Sequence, residues 1–182
     1  MLELEKTPLK DCFILKPRVF EDERGTFYES FNQQRFEETT GLKINFVQDN
    51  QSTSTRGVLR GFHFQTGAYA QAKLVRAVAG EVLDVVVDLR PDSPTFKKSF
   101  KVLLSNENKL ELFVPAGFAH GFLTTSETSV FAYKCDKYYH KESETGIIWN
   151  DPTLKIDWEF PEDEIILSEK DALLPTLKEL EL

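Results

Sequence analysis

Between Gly57 and Gly80 the chain reads Gly-Val-Leu-Arg-Gly-Phe-His-Phe-Gln, then a loop from Thr66 to Gln71, then Ala-Lys-Leu-Val-Arg-Ala-Val-Ala-Gly. The apolar runs on either side of the loop predict two strands, Val58–Gln65 and Ala72–Val78. They carry Arg60, His63, Gln65 and Lys73 into what is otherwise an apolar wall. A polar head taken out of water needs partners or a ligand. The stretch therefore calls for a fold in which strands gather polar groups around one interior.

The rest of the chain supplies strands for that fold. Cys12–Lys16, Thr26–Phe31, Lys43–Gln48, Val82–Leu89, Phe96–Leu104, Leu110–Val114, Gly121–Thr125 and Thr128–Cys135 all read as short strands between Gly, Pro and Asn turns. Such spacing indicates a β-sandwich or barrel. Asn32 is a good N-cap for a helix over Gln33–Thr40, which Gly41 would stop. Residues 137–167 read as irregular. Ser168–Leu180 reads as helix-like, with Ser168 and Asp171 in capping-box spacing and Pro175 interrupting it. No internal repeat or linker composition is found, so the 182 residues are expected to form one domain.

Composition sets limits on function. The formal charge of −8 argues against general nucleic-acid binding, although a few local Arg and Lys suffice for a small anion. Hydrophobic residues make up 41% of the chain and 15 are Phe, so a sizeable core is affordable. Cys12 and Cys135 form no spacing motif and read as buried thiols. No apolar run approaches the roughly 20 residues of a membrane helix. The opening MLELEKTPLKDC lacks a signal-peptide pattern, and a cytoplasmic location is expected.

Two spacings are similar to those of metal-binding cupins. Gly57 and His63 match the first motif, and Pro115-Ala-Gly117-Phe-Ala-His120 matches the second. The second His of the first motif is Gln65, and no Glu follows in Thr66–Gln71. Two imidazoles alone make a poor transition-metal site. The frame thus implies a cupin double-stranded β-helix, a jelly-roll barrel, and the missing ligands imply no metal.

The remaining groups suit proton transfer, each with a plainer alternative. His63 has the right intrinsic basicity for a general base, but also reads as a core histidine. Lys73 can face a developing oxyanion or lie on the outer surface. Tyr133 shares a strand face with Phe131 and Cys135 and can serve as an acid. Arg24 reads either as a solvated residue in an acidic turn or as an anion clamp. Asp49-Asn50-Gln51-Ser52 can bind a ligand or form an Asx-turn. Asp171 reads first as a helix-capping residue. Strict alternation places Arg60 and His63 on opposite faces, and a bulge at Gly61 would bring them together.

Taken together, these residues resemble the dTDP-4-dehydrorhamnose 3,5-epimerase family over nearly the whole chain. The matching stretches are Asp22-Glu-Arg-Gly25 with Glu29-Ser-Phe31, Phe46-Val-Gln-Asp-Asn50, Arg56-Gly-Val-Leu-Arg-Gly61 with His63, and Ala72-Lys-Leu-Val-Arg76. Pro115-x-Gly-Phe-Ala-His-Gly-Phe122, Tyr133-Lys134, Glu144 and Leu167-Ser-Glu-Lys-Asp171 follow in order. The resemblance implies a metal-free, cofactor-free isomerase, usually a homodimer, in dTDP-L-rhamnose biosynthesis. It implies His63 as base, Asp171 orienting it, Tyr133 as acid and Lys73 beside the enolate oxygen. It implies that Arg24, Phe27, Glu29, Gln48, Asp49, Asn50, Arg60, His120, Glu144 and Lys170 line the sugar-nucleotide site, with Tyr139 stacking on the ligand. Arg24 to Glu29 are candidates for donation to a neighbouring subunit. A single-centre epimerase or ketoisomerase would use the same base and acid. A catalytically silent sugar-nucleotide binder would need no such set. Phe62, Phe64 and the loop Thr66-Gly-Ala-Tyr69 depart from the family pattern.

Overall fold

The computed structural model describes residues 2–180. Among the described residues there are thirteen strands: β1 (Glu3–Lys6), β2 (Phe13–Lys16), β3 (Val19–Asp22), β4 (Gly25–Tyr28), β5 (Gln48–Thr55), β6 (Leu59–Gln65), β7 (Lys73–Ala79), β8 (Glu81–Asp88), β9 (Ser99–Ser105), β10 (Glu111–Val114), β11 (Phe118–Thr124), β12 (Thr128–Cys135) and β13 (Glu144–Gly146). Two helices join them, α1 (Gln33–Thr40) and α2 (Glu169–Ala172).

One sheet runs β1-β2-β10-β7-β12-β5 and the other β13-β6-β11-β8-β9, while β3 and β4 pair as a separate hairpin. The two large sheets face each other across a core of Val75, Ala77, Val82, Val86, Leu112, Phe122 and Phe131. This is the cupin jelly-roll. A second cluster, including Leu59, Phe62, Leu83, Val85, Ala119 and Trp158, covers the outer face of the five-stranded sheet. Strand β8 is therefore buried on both faces, which explains its nearly continuous apolar run. A third cluster seats Phe36 of α1 on Leu15, Leu74 and Phe113, behind the six-stranded sheet.

Local signals place α1 well. The Asn32 side chain accepts a hydrogen bond from the Arg35 amide, and Gly41 closes the helix in the left-handed region at φ 73°. Elsewhere the structure departs from expectation. Lys43–Gln48 is not a strand: Ile44 and Phe46 pack against the Phe36 cluster from irregular chain, and the strand begins at Gln48. Strand β5 reads Gln-Asp-Asn-Gln-Ser-Thr-Ser-Thr and among the described residues pairs only with β12, so it lies at a sheet edge, and it shows little hydrophobic alternation. The strand expected over Thr26–Phe31 ends at Tyr28. β1, paired with β2, had no clear sequence signal. The helix expected over Ser168–Leu180 is only the single turn of α2, because Pro175 lacks the amide that would continue it. Residues 137–167 hold the short strand β13 and two 3-10 turns, Lys141–Ser143 and Glu162–Glu164.

Strand β6 carries a bulge. His63 pairs with His120 and Arg60 with Phe122, so three steps on β6 oppose two on β11. Gly61 sits at φ 125°, and a Cβ there would lie 2.5 Å from the Gly121 Cα. Only glycine fits this close approach. The extra residue turns both Arg60 and His63 toward the interior.

Candidate active site

A cavity of about 620 Å³ opens between the two large sheets. The five-stranded sheet contributes Arg60, His63, Gln65 and His120 to its walls, and the six-stranded sheet contributes Gln48, Asn50, Lys73 and Tyr133. Tyr139, Glu144, Lys170 and Asp171 complete it from the C-terminal third of the chain.

The Nε2 of His63 lies 2.7 Å from Oδ1 of Asp171. Asp171 is buried, and burial alone would raise its pKa. Hydrogen bonds from His63, the Gly61 amide at 3.3 Å and Ser168 outweigh that cost and hold the carboxyl below its usual range. An ionised carboxylate only accepts hydrogen bonds. Nε2 therefore carries the proton and the basic lone pair lies on Nδ1. Of the expected capping box the Ser168 half is present, the Asp171 backbone amide donating to Ser168 Oγ at 3.1 Å, whereas the Asp171 carboxylate is turned to His63 and the Gly61 amide. One residue closes the helix turn with its main chain and orients the imidazole with its side chain.

Tyr133 faces this pair from β12. Burial is the main cause of its raised pKa, with Cys135 adding to it, so the phenol keeps its proton at neutral pH. The Lys73 Nζ lies 5.8 Å from the centre of the Tyr133 ring. Desolvation lowers the Lys73 pKa. Arg60 is braced through Nε to Ser54 Oγ at 3.0 Å. At the cavity mouth, Glu144 accepts from Lys170 at 2.5 Å and from the Tyr139 hydroxyl at 2.9 Å. Burial would raise Glu144, but these bonds bring its pKa down.

Four of the expected site residues do not line this cavity. Asp49 points to the opposite face of β5 from Gln48 and Asn50, as strand alternation requires, and pairs with Lys134 at 2.9 Å. Arg24 sits at the tip of the β3–β4 hairpin and hydrogen-bonds Asp22. Phe27, in the same hairpin, is 71% exposed. Glu29 pairs with Arg35 at 3.0 Å and borders a separate cleft beneath α1.

Sequence reasoning missed Asp84. It is fully buried, and its Oδ2 lies 2.8 Å from Nε2 of His120. The signal was available: a carboxylate in the apolar run Val82–Leu89 demands a partner. The cavity also takes in Ser52, whose hydroxyl is buried without a hydrogen-bond partner among the described residues. No group of three or more His, Cys, Asp or Glu among the described residues is arranged to hold a metal ion. Gln65 stands where a second ligating His would be, and its Oε1 accepts the His140 amide at 2.7 Å.

A jelly-roll barrel with this cavity places the chain among the cupin-type isomerases. The dTDP-4-dehydrorhamnose 3,5-epimerase family model matches residues 6–179. The chain is 55% identical to the dTDP-4-dehydrorhamnose 3,5-epimerase of Escherichia coli K12, over 96% of this chain and 94% of that one. It superposes on the crystal structure of the same enzyme from Elizabethkingia anophelis with a TM-score of 0.94 and 58% identity, covering 98% of this chain and 97% of the other. A Legionella pneumophila dTDP-6-deoxy-D-glucose-3,5-epimerase, solved in complex with dTDP-4-keto-L-rhamnose, gives a TM-score of 0.94 at 48% identity, covering 98% and 94%. The chain belongs to the dTDP-4-dehydrorhamnose 3,5-epimerase family.

Proposed function

We propose that this chain performs the reaction of its family, inverting C3 and C5 of dTDP-4-dehydro-6-deoxy-D-glucose to give dTDP-4-dehydro-L-rhamnose. One observation carries the mechanistic reading. The His63–Asp171 pair and Tyr133 enter a single cavity from opposing sheets.

The C4 ketone acidifies the protons on its two neighbours, C3 and C5. His63 Nδ1 removes one of them from one face of the ring. The electron pair moves onto the ketone oxygen as an enolate, where Lys73 is the available N–H donor. Stabilising that oxygen is the largest catalytic contribution expected in such a site. Tyr133 then delivers its proton to the carbon from the other face, and the centre is inverted. The phenolate recovers a proton from solvent as His63 releases one. Repeating the cycle at the second carbon completes the product. Only protons move, so the chemistry requires no redox cofactor.

Gln48, Asn50, Arg60, Glu144 and Lys170 then serve the sugar nucleotide, with Tyr139 as the stacking platform for its base. Arg60 offers a guanidinium to the diphosphate, which explains a cationic patch in an acidic protein. We assign Arg24, Phe27 and Glu29 to the cavity of a second copy in a homodimer, because the hairpin that bears Arg24 and Phe27 stands away from its own cavity. Each chain acts in this reading as one catalytic domain, in the cytoplasm. Among the described residues no helix is long and apolar enough to cross a membrane.

The test is proton NMR of the 4-keto-6-deoxyglucose nucleotide with the purified protein in D₂O. Deuterium entering both C3 and C5 is the expected result, and deuterium at one carbon would replace the reading with a single-centre epimerase. No exchange with the nucleotide bound would leave a binding protein.

A further inference from the structure

The platform residue Tyr139 sits in a stretch with little structure of its own. Tyr138, Tyr139 and His140 belong to no helix or strand. Their position depends on side chains from elsewhere. Gln48 Oε1 accepts the Tyr139 amide at 3.0 Å, and Gln65 Oε1 accepts the His140 amide at 2.7 Å. Two glutamines on neighbouring walls thus hold two consecutive amides.

The loop after β6 completes the clamp. Lys137 Nζ donates to the Ala68 carbonyl at 2.9 Å, Gln71 Nε2 donates to the Lys137 carbonyl at 2.7 Å, and the Thr66 amide donates to the Ser143 carbonyl at 2.9 Å. The Tyr69 ring lies flat on the His140 imidazole, with centroids 3.7 Å apart and planes within 7°. At its edge the imidazole is also met by Ser143 Oγ, 2.9 Å from Nδ1, and by Glu142 Oε2, 3.4 Å from Nε2. Tyr69 itself does not line the cavity and is 42% exposed. Its hydroxyl makes no hydrogen bond among the described residues, so the ring is the part in use.

We propose that Tyr69 is a positioning residue for the nucleotide platform, acting through His140 to hold Tyr139 in its base-stacking orientation. The proposal rests on the reading of Tyr139 as that platform. The amide clamps fix where the chain passes, and the Tyr69–His140 stack fixes how it is turned. Without the stack, the His140 ring and the Tyr139 backbone beside it gain freedom that nucleotide binding must remove. The cost then falls on binding of the nucleotide half rather than on proton transfer at the sugar. This gives the Thr66–Tyr69 loop, which departs from the family pattern, a role in nucleotide affinity.

Calorimetric titration with dTDP and steady-state kinetics on wild type, Tyr69→Ala and Tyr69→Phe test this. Loss of an aromatic stack corresponds to roughly a two- to tenfold change in an equilibrium constant. Tyr69→Ala is expected to raise the dTDP Kd and the substrate KM by that factor with kcat held, and Tyr69→Phe to match wild type. Unchanged dTDP affinity in Tyr69→Ala overturns the proposal. So does a fall in kcat with KM unchanged, or a Phe variant as weak as the Ala variant. Failure of the wild-type protein to bind dTDP overturns the reading of the cavity as a sugar-nucleotide site, and this inference with it.

Discussion

Asp171 Oδ1 and His63 Nε2 lie 2.7 Å apart although 108 positions separate the residues in the chain. The same carboxylate accepts the Gly61 amide through its other oxygen. The bulge that aims His63 and the carboxylate that orients it are thus one connected unit. This unit governs the first three predictions.

His63→Ala removes the base. Loss of general-base catalysis is expected to slow solvent-deuterium exchange by at least about 100-fold. Nucleotide affinity, set at the other end of the cavity, should be largely retained. NMR exchange and dTDP titration check the two halves separately, and lost affinity with surviving exchange would remove His63 from its role.

Asp171→Asn keeps the shape and removes the charge. The folded pKa of Asp171 lies below its unfolded value, so its ionised form contributes stability above an unfolded pKa of about 3.9. That contribution disappears as pH falls through the lower folded value. The stability gap between wild type and variant should therefore be present at neutral pH and close under strong acid. Denaturant titration at a series of pH values measures it, and a gap that widened under acid would contradict the assignment.

Gly61→Ala places a Cβ 2.5 Å from Gly121 Cα and 2.8 Å from the His120 carbonyl oxygen, at a φ of 125°. Neither neighbour is a flexible side chain. A destabilisation of about 1–3 kcal/mol is expected. For a chain of this size that lowers Tm by roughly 2–4 °C per kcal/mol. A melting curve indistinguishable from wild type would mean the bulge tolerates a side chain.

Tyr133→Phe removes the acid while keeping the ring. His63 can still form the enolate, so deuterium exchange should survive while epimerisation becomes slow or incomplete. Turnover at the wild-type rate would exclude Tyr133 from the mechanism.

Glu111 tests the barrel rather than the site. It is 3% exposed, and burial pushes its carboxyl up to about 8, against the opposing pull of Arg76. The unfolded chain releases this proton near its ordinary value of 4.5, while the folded chain keeps it to about 8. Between those values the native state binds more protons, so stability falls as pH rises. Glu111→Gln should therefore gain on wild type progressively from pH 4.5 to 8, as read from unfolding midpoints. A constant difference across that window would refute the raised pKa.

Much of the architecture was legible because its signals are local. Asn32 and Gly41 bracket α1, and Thr128–Cys135 is a strand as read. The bulge at Gly61 followed from requiring Arg60 and His63 to share a face. The edge strand β5 was misplaced because its inward residues face a polar cavity, which removes the apolar alternation that marks a strand. On local signals alone Asp171 reads as a cap, because its neighbour Ser168 is visible in sequence, and only the family resemblance pointed to its distant partner His63.

The sequence by itself determined a chain of short strands, a cupin spacing with its metal ligands missing, and a set of acid, base and cation suited to proton transfer. Those follow from the alternation, turn chemistry and residue type of neighbouring positions. Only the tertiary structure decided which groups meet. It set Asp171 on His63 and Asp84 on His120, turned Asp49 outward, and left Arg24, Phe27 and Glu29 outside their own cavity. The reason is physical: strand pairing and sheet packing bring together residues far apart in sequence, and their register, not their spacing, fixes which side chains share an interior.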